Sequence, residues 1–260
     1  MKPIQTGRWK GFQKRGRWLA AVSLLLPVVV WQGIAQWAGL PAFLLPSPLQ
    51  VLNRFGEVLA NGSLLYHTGC TLLEVLLGLA LGSGLATVTG YALARSPLLE
   101  KLLSPYLVAS QAVPVVAIAP LLVIWFGPGM FSKVLICALI VFFPVLVNTV
   151  VGLRAVPQNL RDLMHALRAT PLQVLRHLEI PAALPVLLGG LRIGATLSVI
   201  GAVVGEFVGA DRGLGFLVSV GRGRYDTALV FVAILTLVGL ALALYGGVVL
   251  VEKRLLRWEQ

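Results

Sequence analysis

Six runs of about twenty mostly apolar residues recur along this chain: Leu19–Ala38, Leu72–Leu93, Pro105–Phe126, Val134–Leu153, Ala182–Val208 and Ala228–Val251. Hydrocarbon offers no water to the backbone, and a helix satisfies its N–H and C=O groups within one segment. An apolar layer about 30 Å thick takes about 20 residues of helix. The runs therefore predict an all-α polytopic membrane protein with six transmembrane helices. Composition agrees, since 58% of the 260 residues are hydrophobic, only 12% are charged and the mean hydropathy is +0.90. A soluble globular chain is about a quarter charged. Disordered, collagen-like, coiled-coil and disulfide-scaffold classes are excluded by the same arithmetic.

The net charge of +11 would suggest nucleic acid in a soluble protein. Here the charges lie between the apolar runs, so they read as topology signals and contacts to anionic lipid, with no nucleic-acid partner. Lys2, Arg8, Lys10, Lys14, Arg15 and Arg17 precede the first run without an acid among them. Placing that end in the cytoplasm puts fifteen of the 21 Lys and Arg inside and five outside (Arg54, Lys133, Arg212, Arg222, Arg224), with Arg192 within a span. Both termini are thus expected in the cytoplasm. The first run resembles a signal peptide in its basic start, but Trp31-Gln32 stands where small residues would precede cleavage, so it reads as a retained anchor.

The organisation that follows is a cytoplasmic basic N-terminus (1–18), a first transmembrane helix (19–38), an outer segment (39–71), a five-helix core (72–251) with a long cytoplasmic loop (154–181), and a cytoplasmic tail (252–260). In the outer segment, Leu49–Leu59 predicts a short surface helix with Leu49, Leu52, Phe55 and Leu59 on its apolar face. In the inner loop, Leu160, Leu163, Met164 and Leu167 follow the i, i+3, i+4, i+7 spacing of one helix. Thr170-Pro171 then ends that helix, and a second runs through Leu172, Leu175 and Leu178 to Pro181. Two short amphipathic helices meeting at an elbow make a rigid cytoplasmic knob.

Those residues resemble the inner-membrane permeases of binding-protein-dependent ABC importers, whose cytoplasmic motif is E-A-A-x3-G-x9-I-x-L-P. The same register here is Asp162-Leu163-Met164, then Arg168, then Leu178-Glu179-Ile180-Pro181. Pro181-Ala182-Ala183-Leu184-Pro185 continues the likeness, as does Glu206 followed by Gly213-Leu214-Gly215. Gln111-Ala112-Val113-Pro114, Ala119-Pro120-Leu121 and Trp125-Phe126-Gly127 are similar to the branch serving nitrate, bicarbonate, sulfonates and taurine, which also includes permeases for pyrimidine precursors and riboflavin. The chain departs from the motif in having Asp162 for its acid and Arg168 for its glycine. Arg168 implies that the turn is made at Ala169-Thr170-Pro171 instead.

The resemblance implies the type I importer permease fold with a cytoplasmic coupling-helix elbow. It also implies docking of Asp162, Leu163, Met164, Arg168, Ala169, Thr170 and Pro171 against a separate ATPase. Its expected partners are two ATPase copies, a second permease copy in a homodimer, an extracytoplasmic substrate-binding protein and membrane lipid. ATP and magnesium would be bound by the ATPase and no cofactor by this chain, which has no G-x-x-x-x-G-K-[ST] loop. ATP-driven closure would then swing the pair between inward-open and outward-open states.

Within the membrane, Gly190, Gly194, Gly201, Gly205 and Gly209 fall in a sector of roughly 100° on one helix, a packing stripe for a helix of the same subunit or of a second copy. Arg192 and Glu206 are about 21 Å apart along that helix, so each needs its own partner. Arg192 is a candidate for attracting an anion, or for snorkelling to the interface, and Glu206 for lining the outer gate or holding a structural hydrogen bond. The third run carries Pro114 and Pro120, each removing a helical hydrogen bond, and broken helices at membrane depth line protein or water. Ser110, Gln111, Pro114, Trp125 and Phe126 are its candidates for the solute path, with Asn148 of the fourth run. His67, His165, His177, Cys70 and Cys137 show neither catalytic nor metal spacing, so no enzyme site and no metal is expected. The competing function is an autonomous ion-coupled secondary transporter using Glu74, Arg192 and Glu206, for which no internal repeat stands out.

Overall fold

The computed structural model describes residues 25–37, 39 and 41–256, and their regular secondary structure is helical throughout. The basic segment 1–18, the first residues of the expected first span (19–24) and the last of the tail (257–260) lie outside the described residues. Helix α1 is Leu25–Trp37, too short in its described part to cross a membrane alone. Next comes α2, Pro48–Ala60, started by a capping box between Ser47 and Gln50 and by Pro48 in its first turn. It is the surface helix expected there, but its inward line is Val51 and Val58, packed with Leu64, Leu217 and Leu229. Leu49, Leu52, Phe55 and Leu59 are exposed instead. The helix is oriented by Arg54, which reaches across to Asp226 at 2.7 Å and so turns the leucine face away from the bundle.

Helix α3, Ser63–Arg95, begins well before the expected Leu72, and its 33 residues span about 50 Å. Among the described residues, four helices are long and apolar enough to cross a membrane: α3, α6 (Met130–Arg154), α9 (Ile180–Gly209, with the turn that leads into it) and α11 (Thr227–Leu255). The third run is not one straight span. It is α4 (Pro97–Gln111) and α5 (Val115–Phe126), bent by 93°. Pro114 explains the break, because its ring excludes the Ser110 carbonyl from a helical bond and pushes Val113 out of the helical region. The freed Ser110 carbonyl accepts from the Val113 N–H at 3.3 Å instead. Pro120 stays inside α5 without ending it. Counting the bent pair as one span gives five.

Helices α3, α6 and α9 form the central block, with α6 between the other two. Small residues bring them close. A Cβ at Gly82 would stand 2.5 Å from the Ala138 carbonyl oxygen of α6, one at Gly201 2.8 Å from the Cys137 Cα, and one at Gly190 2.7 Å from the Asn148 Cβ. The glycine stripe of α9 therefore packs within one subunit, on α6, from Gly190 to Gly205, with Gly209 in ordinary contact with Val123 and Pro128. The matching stripe on α3 (Gly78, Gly82, Ala86, Gly90) went unread in the sequence.

The loop 154–181 holds α7 (Gln158–Ala166) and α8 (Pro171–Val174). The second arm of the elbow does not stop at Pro181. It passes from α8 through a π-helical turn, Leu175–Glu179, directly into α9. The wider turn accommodates Pro181, which lacks an N–H and crowds the carbonyl four residues back. A short α10 (Leu214–Gly223) fills the connection to α11. Hereafter the end carrying α7 is the elbow end and the end carrying α10 the far end.

Candidate functional site

The elbow's turn is made at Arg168, not after it. Arg168 has φ +54°, the left-handed conformation that the motif's glycine adopts without a Cβ penalty. Its N–H donates to the His165 carbonyl at 2.9 Å and the Ala169 N–H to the Met164 carbonyl at 3.0 Å. Together these bonds satisfy the last carbonyls of α7 in a Schellman motif. Thr170 then caps α8 in a box with Gln173. Helix α7 buries no residue. Leu163, Leu167 and Leu172 are 53%, 68% and 71% exposed, Met164 and Ala169 are half-buried, and Asp162 is exposed beside Gln158, which donates to it at 3.0 Å. The elbow thus presents an apolar ledge with a single acidic edge.

Beneath the ledge lies Glu179, buried at 1% exposure. One of its oxygens accepts from Arg95 at the end of α3 (2.8 Å), and the other faces Arg161 of α7 (3.3 Å). Arg161 also donates to the Leu153 carbonyl at the end of α6, at 2.8 Å. Nearby, Arg154 pairs with Glu100 of α4. The sequence assigned no role to Glu179, because it occupies an unspecified position of the motif.

The far end carries a second buried polar cluster. Glu206, 2% exposed, accepts from the Thr71 hydroxyl at 2.7 Å and from the Gly215 N–H. Thr71 in turn accepts from the Leu214 N–H at 2.8 Å, and Nδ1 of His67 accepts from the Gly213 N–H at 3.0 Å. Three successive amides at the start of α10, which the helix itself cannot satisfy, are taken by side chains of α3 and α9. Gly213 has φ +109°, and a Cβ there would collide with the Glu206 carboxylate. Hence the spacing between Glu206 and Gly213-Leu214-Gly215 is a latch holding the far-end turn to the bundle. Beside it, Lys133 is buried and lies 3.3 Å from Glu74. Lys133 is therefore not the outer loop residue expected from its position before the fourth run. The first turn of α6 carries it between α3 and α9.

The expected path residues do not meet in one pocket within a single copy. Ser110, Gln111, Pro114, Trp125 and Phe126 all lie on the exposed side of the broken span. Gln111 borders a groove of about 180 Å³ with Leu107, Leu146 and Val150, closed at the elbow end by Glu100. Phe126 stands edge-on to Phe131 at 5.4 Å. Asn148 is wedged against Gly190, donating to the Pro144 carbonyl of its own helix at 2.8 Å. Arg192 lies 3.3 Å from Glu252 of α11, and Glu206 is enclosed in the latch. Glu74, Arg192 and Glu206, which an ion-coupled carrier would need free, are each committed to another group. Among the described residues no three His, Cys, Asp or Glu side chains gather as metal ligands.

Residues 78–257, which include the elbow, Glu179 and the Glu206 and Gly213–Gly215 side of the far-end latch, match the family model described as the binding-protein-dependent transport system inner membrane component. The chain is 49% identical over 238 residues to the riboflavin transport system permease protein RibX of Chloroflexus aurantiacus, covering 92% of this chain and 89% of that one. It is 42% identical to a probable ABC transporter permease protein of Haemophilus influenzae (88% and 92% covered). It is also 36% identical to the formylaminopyrimidine transport permease protein ThiX of Halalkalibacterium halodurans (91% and 94% covered). These relatives favour the permease over the autonomous carrier, and the chain belongs to the family of binding-protein-dependent transport system inner membrane components, the permease subunits of ABC transporters.

Proposed function

We propose that two copies of this chain form the membrane pathway of an importer, each engaging one ATPase subunit on the cytoplasmic side through the elbow α7–α8. The observation that carries this reading is the exposed leucine ledge of Leu163, Leu167 and Leu172 on helices of which only Val174 is buried. An apolar face left uncovered on a rigid, capped elbow fits a protein groove better than water. In this arrangement the first apolar run, Leu19–Ala38, would supply a sixth span, both termini would be cytoplasmic, and the membrane would be the bacterial inner one. ATP and magnesium would belong to the ATPase. An extracytoplasmic binding protein would deliver the solute at the far end.

For the solute, a flat heteroaromatic of the flavin or pyrimidine class is the better fit than a sulfonate or nitrate. Lys133 of α6 and Arg192 of α9 both have carboxylate neighbours at 3.3 Å, so neither is left to bind an anion. Meanwhile Tyr106, Trp125 and Phe126 are exposed along the broken span, where ring faces can stack on a flat solute. The names of the relatives handling riboflavin and formylaminopyrimidine point the same way.

Co-expression with a candidate ATPase subunit and purification in mild detergent tests the assembly. The ATPase should remain bound in equal numbers, and Ala169→Asp, which places a charge beside the ledge, should release it. A chain that purifies alone and moves solute without ATP sinks the proposal. Uptake into proteoliposomes of the complete transporter, with riboflavin and taurine as competing probes, tests the solute class.

A further inference from the structure

Four elements meet on Glu179. It sits in the π turn between α8 and α9, Arg95 comes from α3, Arg161 from α7, and Arg161 is itself bonded to the last turn of α6. Helix α7 buries nothing against the bundle, so this clamp is a principal tie between the elbow's first arm and the membrane helices. The geometry also separates its parts. Glu179 is 1% exposed, whereas the Arg95 and Arg161 side chains are 38% and 26% exposed, so removing the acid leaves two cations that water can reach.

We propose that Glu179 is a positioning residue for transport coupling. By holding Arg161 of the elbow and Arg95 of α3 on one carboxylate, it makes the elbow, α3 and α9 move as one body when the ATPase displaces the elbow. Charge-assisted bonds to a buried carboxylate are roughly twice as strong as neutral ones, and they resist separation in a low-dielectric setting. An amide in place of the acid keeps the shape but cannot hold two guanidinium groups. The proposal rests on the docking role of α7–α8 described above, and it adds a residue that the family motif leaves unspecified.

The experiment uses the complete transporter, with Cys70→Ser and a reporter Ile124→Cys on the broken span, at a residue 74% exposed and without a role in the solute path. The rate at which a membrane-impermeant maleimide labels that cysteine is measured with and without trapping by ATP and vanadate. In the otherwise native chain, trapping should change the rate about tenfold, as expected when a gate changes its water access. In Glu179→Gln the ATPase should stay bound in equal numbers and still hydrolyse ATP. The trapping response should nevertheless shrink about tenfold, in the upper part of the range for residues that carry coupling. Arg161→Gln should behave alike, and Glu179→Asp should restore most of the response. A Glu179→Gln variant that responds like the native chain overturns the proposal. So does one that loses its ATPase in proportion to its response, since the acid would then only fold the elbow. A native chain that binds no ATPase overturns the docking role itself.

Discussion

Arg168 shows how one residue can break a motif and keep its geometry. The family's glycine is absent, yet the backbone turns at this position with φ +54°, because two hydrogen bonds to the end of α7 and the cap at Thr170 hold it on both sides. A left-handed conformation costs a residue with a Cβ about 1 kcal/mol or somewhat more. Arg168→Gly should therefore strengthen the C-terminus of α7, slowing amide exchange across Gln158–Ala166 about fivefold, the factor that 1 kcal/mol carries. Arg168→Val, β-branched and poorly suited to positive φ, should speed it. Unchanged exchange in both variants would mean that the turn is not limiting. The turn is not displaced to Ala169-Thr170-Pro171, because the bonds on either side of Arg168 override the residue's own conformational preference.

At the scale of elements, the stacking of α3, α6 and α9 decides most of the architecture. The glycine stripe on α9 was legible as a packing face, but its partner was not, since a second subunit and a neighbouring helix leave the same pattern. The structure gives the stripe to α6. Lys133 was misplaced for a related reason: a lysine at the start of an apolar run reads as a loop residue until the acid across the interface is known. Glu74 and Lys133 join α3 to α6 in a site where both are nearly inaccessible, and the second oxygen of Glu74 has no hydrogen-bond partner among the described residues. Removing one member of a buried pair costs about 3–5 kcal/mol, whereas replacing both with apolar groups is often neutral. Lys133→Met should thus lower the melting temperature of the detergent-solubilised chain sharply, and Lys133→Met with Glu74→Leu should recover most of the loss. A double variant as unstable as the single one would contradict this account of the pair.

For the whole molecule, the two buried clusters stand at opposite ends of one stiff block. Glu179 fastens the elbow to α3 and α9, while Glu206, Thr71 and His67 fasten the start of α10 to the same two helices. The broken pair α4–α5 packs on one side of that block: α5 sets Ala119 and Leu122 against Ile136, while α4 contributes no buried residue. Motion should therefore be rigid within the block and relative between the block and the broken span. Spin labels at Leu65 on α3 and His177 near the elbow should keep their separation within about 2 Å between nucleotide-free and ATP-bound transporter. Labels at His177 and Trp125 should change theirs by more, as expected for sliding and hinging of packed elements. A change confined to the first pair would remove the lever.

What the sequence determined alone is what apolar length and local chemistry dictate. Long apolar runs must become helices in a bilayer, Pro114 must interrupt one of them, and the i, i+3, i+4, i+7 leucines with Thr170-Pro171 must make an elbow. These depend on neighbours within a few residues. The tertiary structure decided the pairings: Glu179 with Arg95 and Arg161, Glu206 with an amide of the Gly213–Gly215 turn, Lys133 with Glu74, and the glycines with α6. Charges and small residues on a helix declare that a partner is needed, and only the packing of distant segments says which group stands within hydrogen-bond reach.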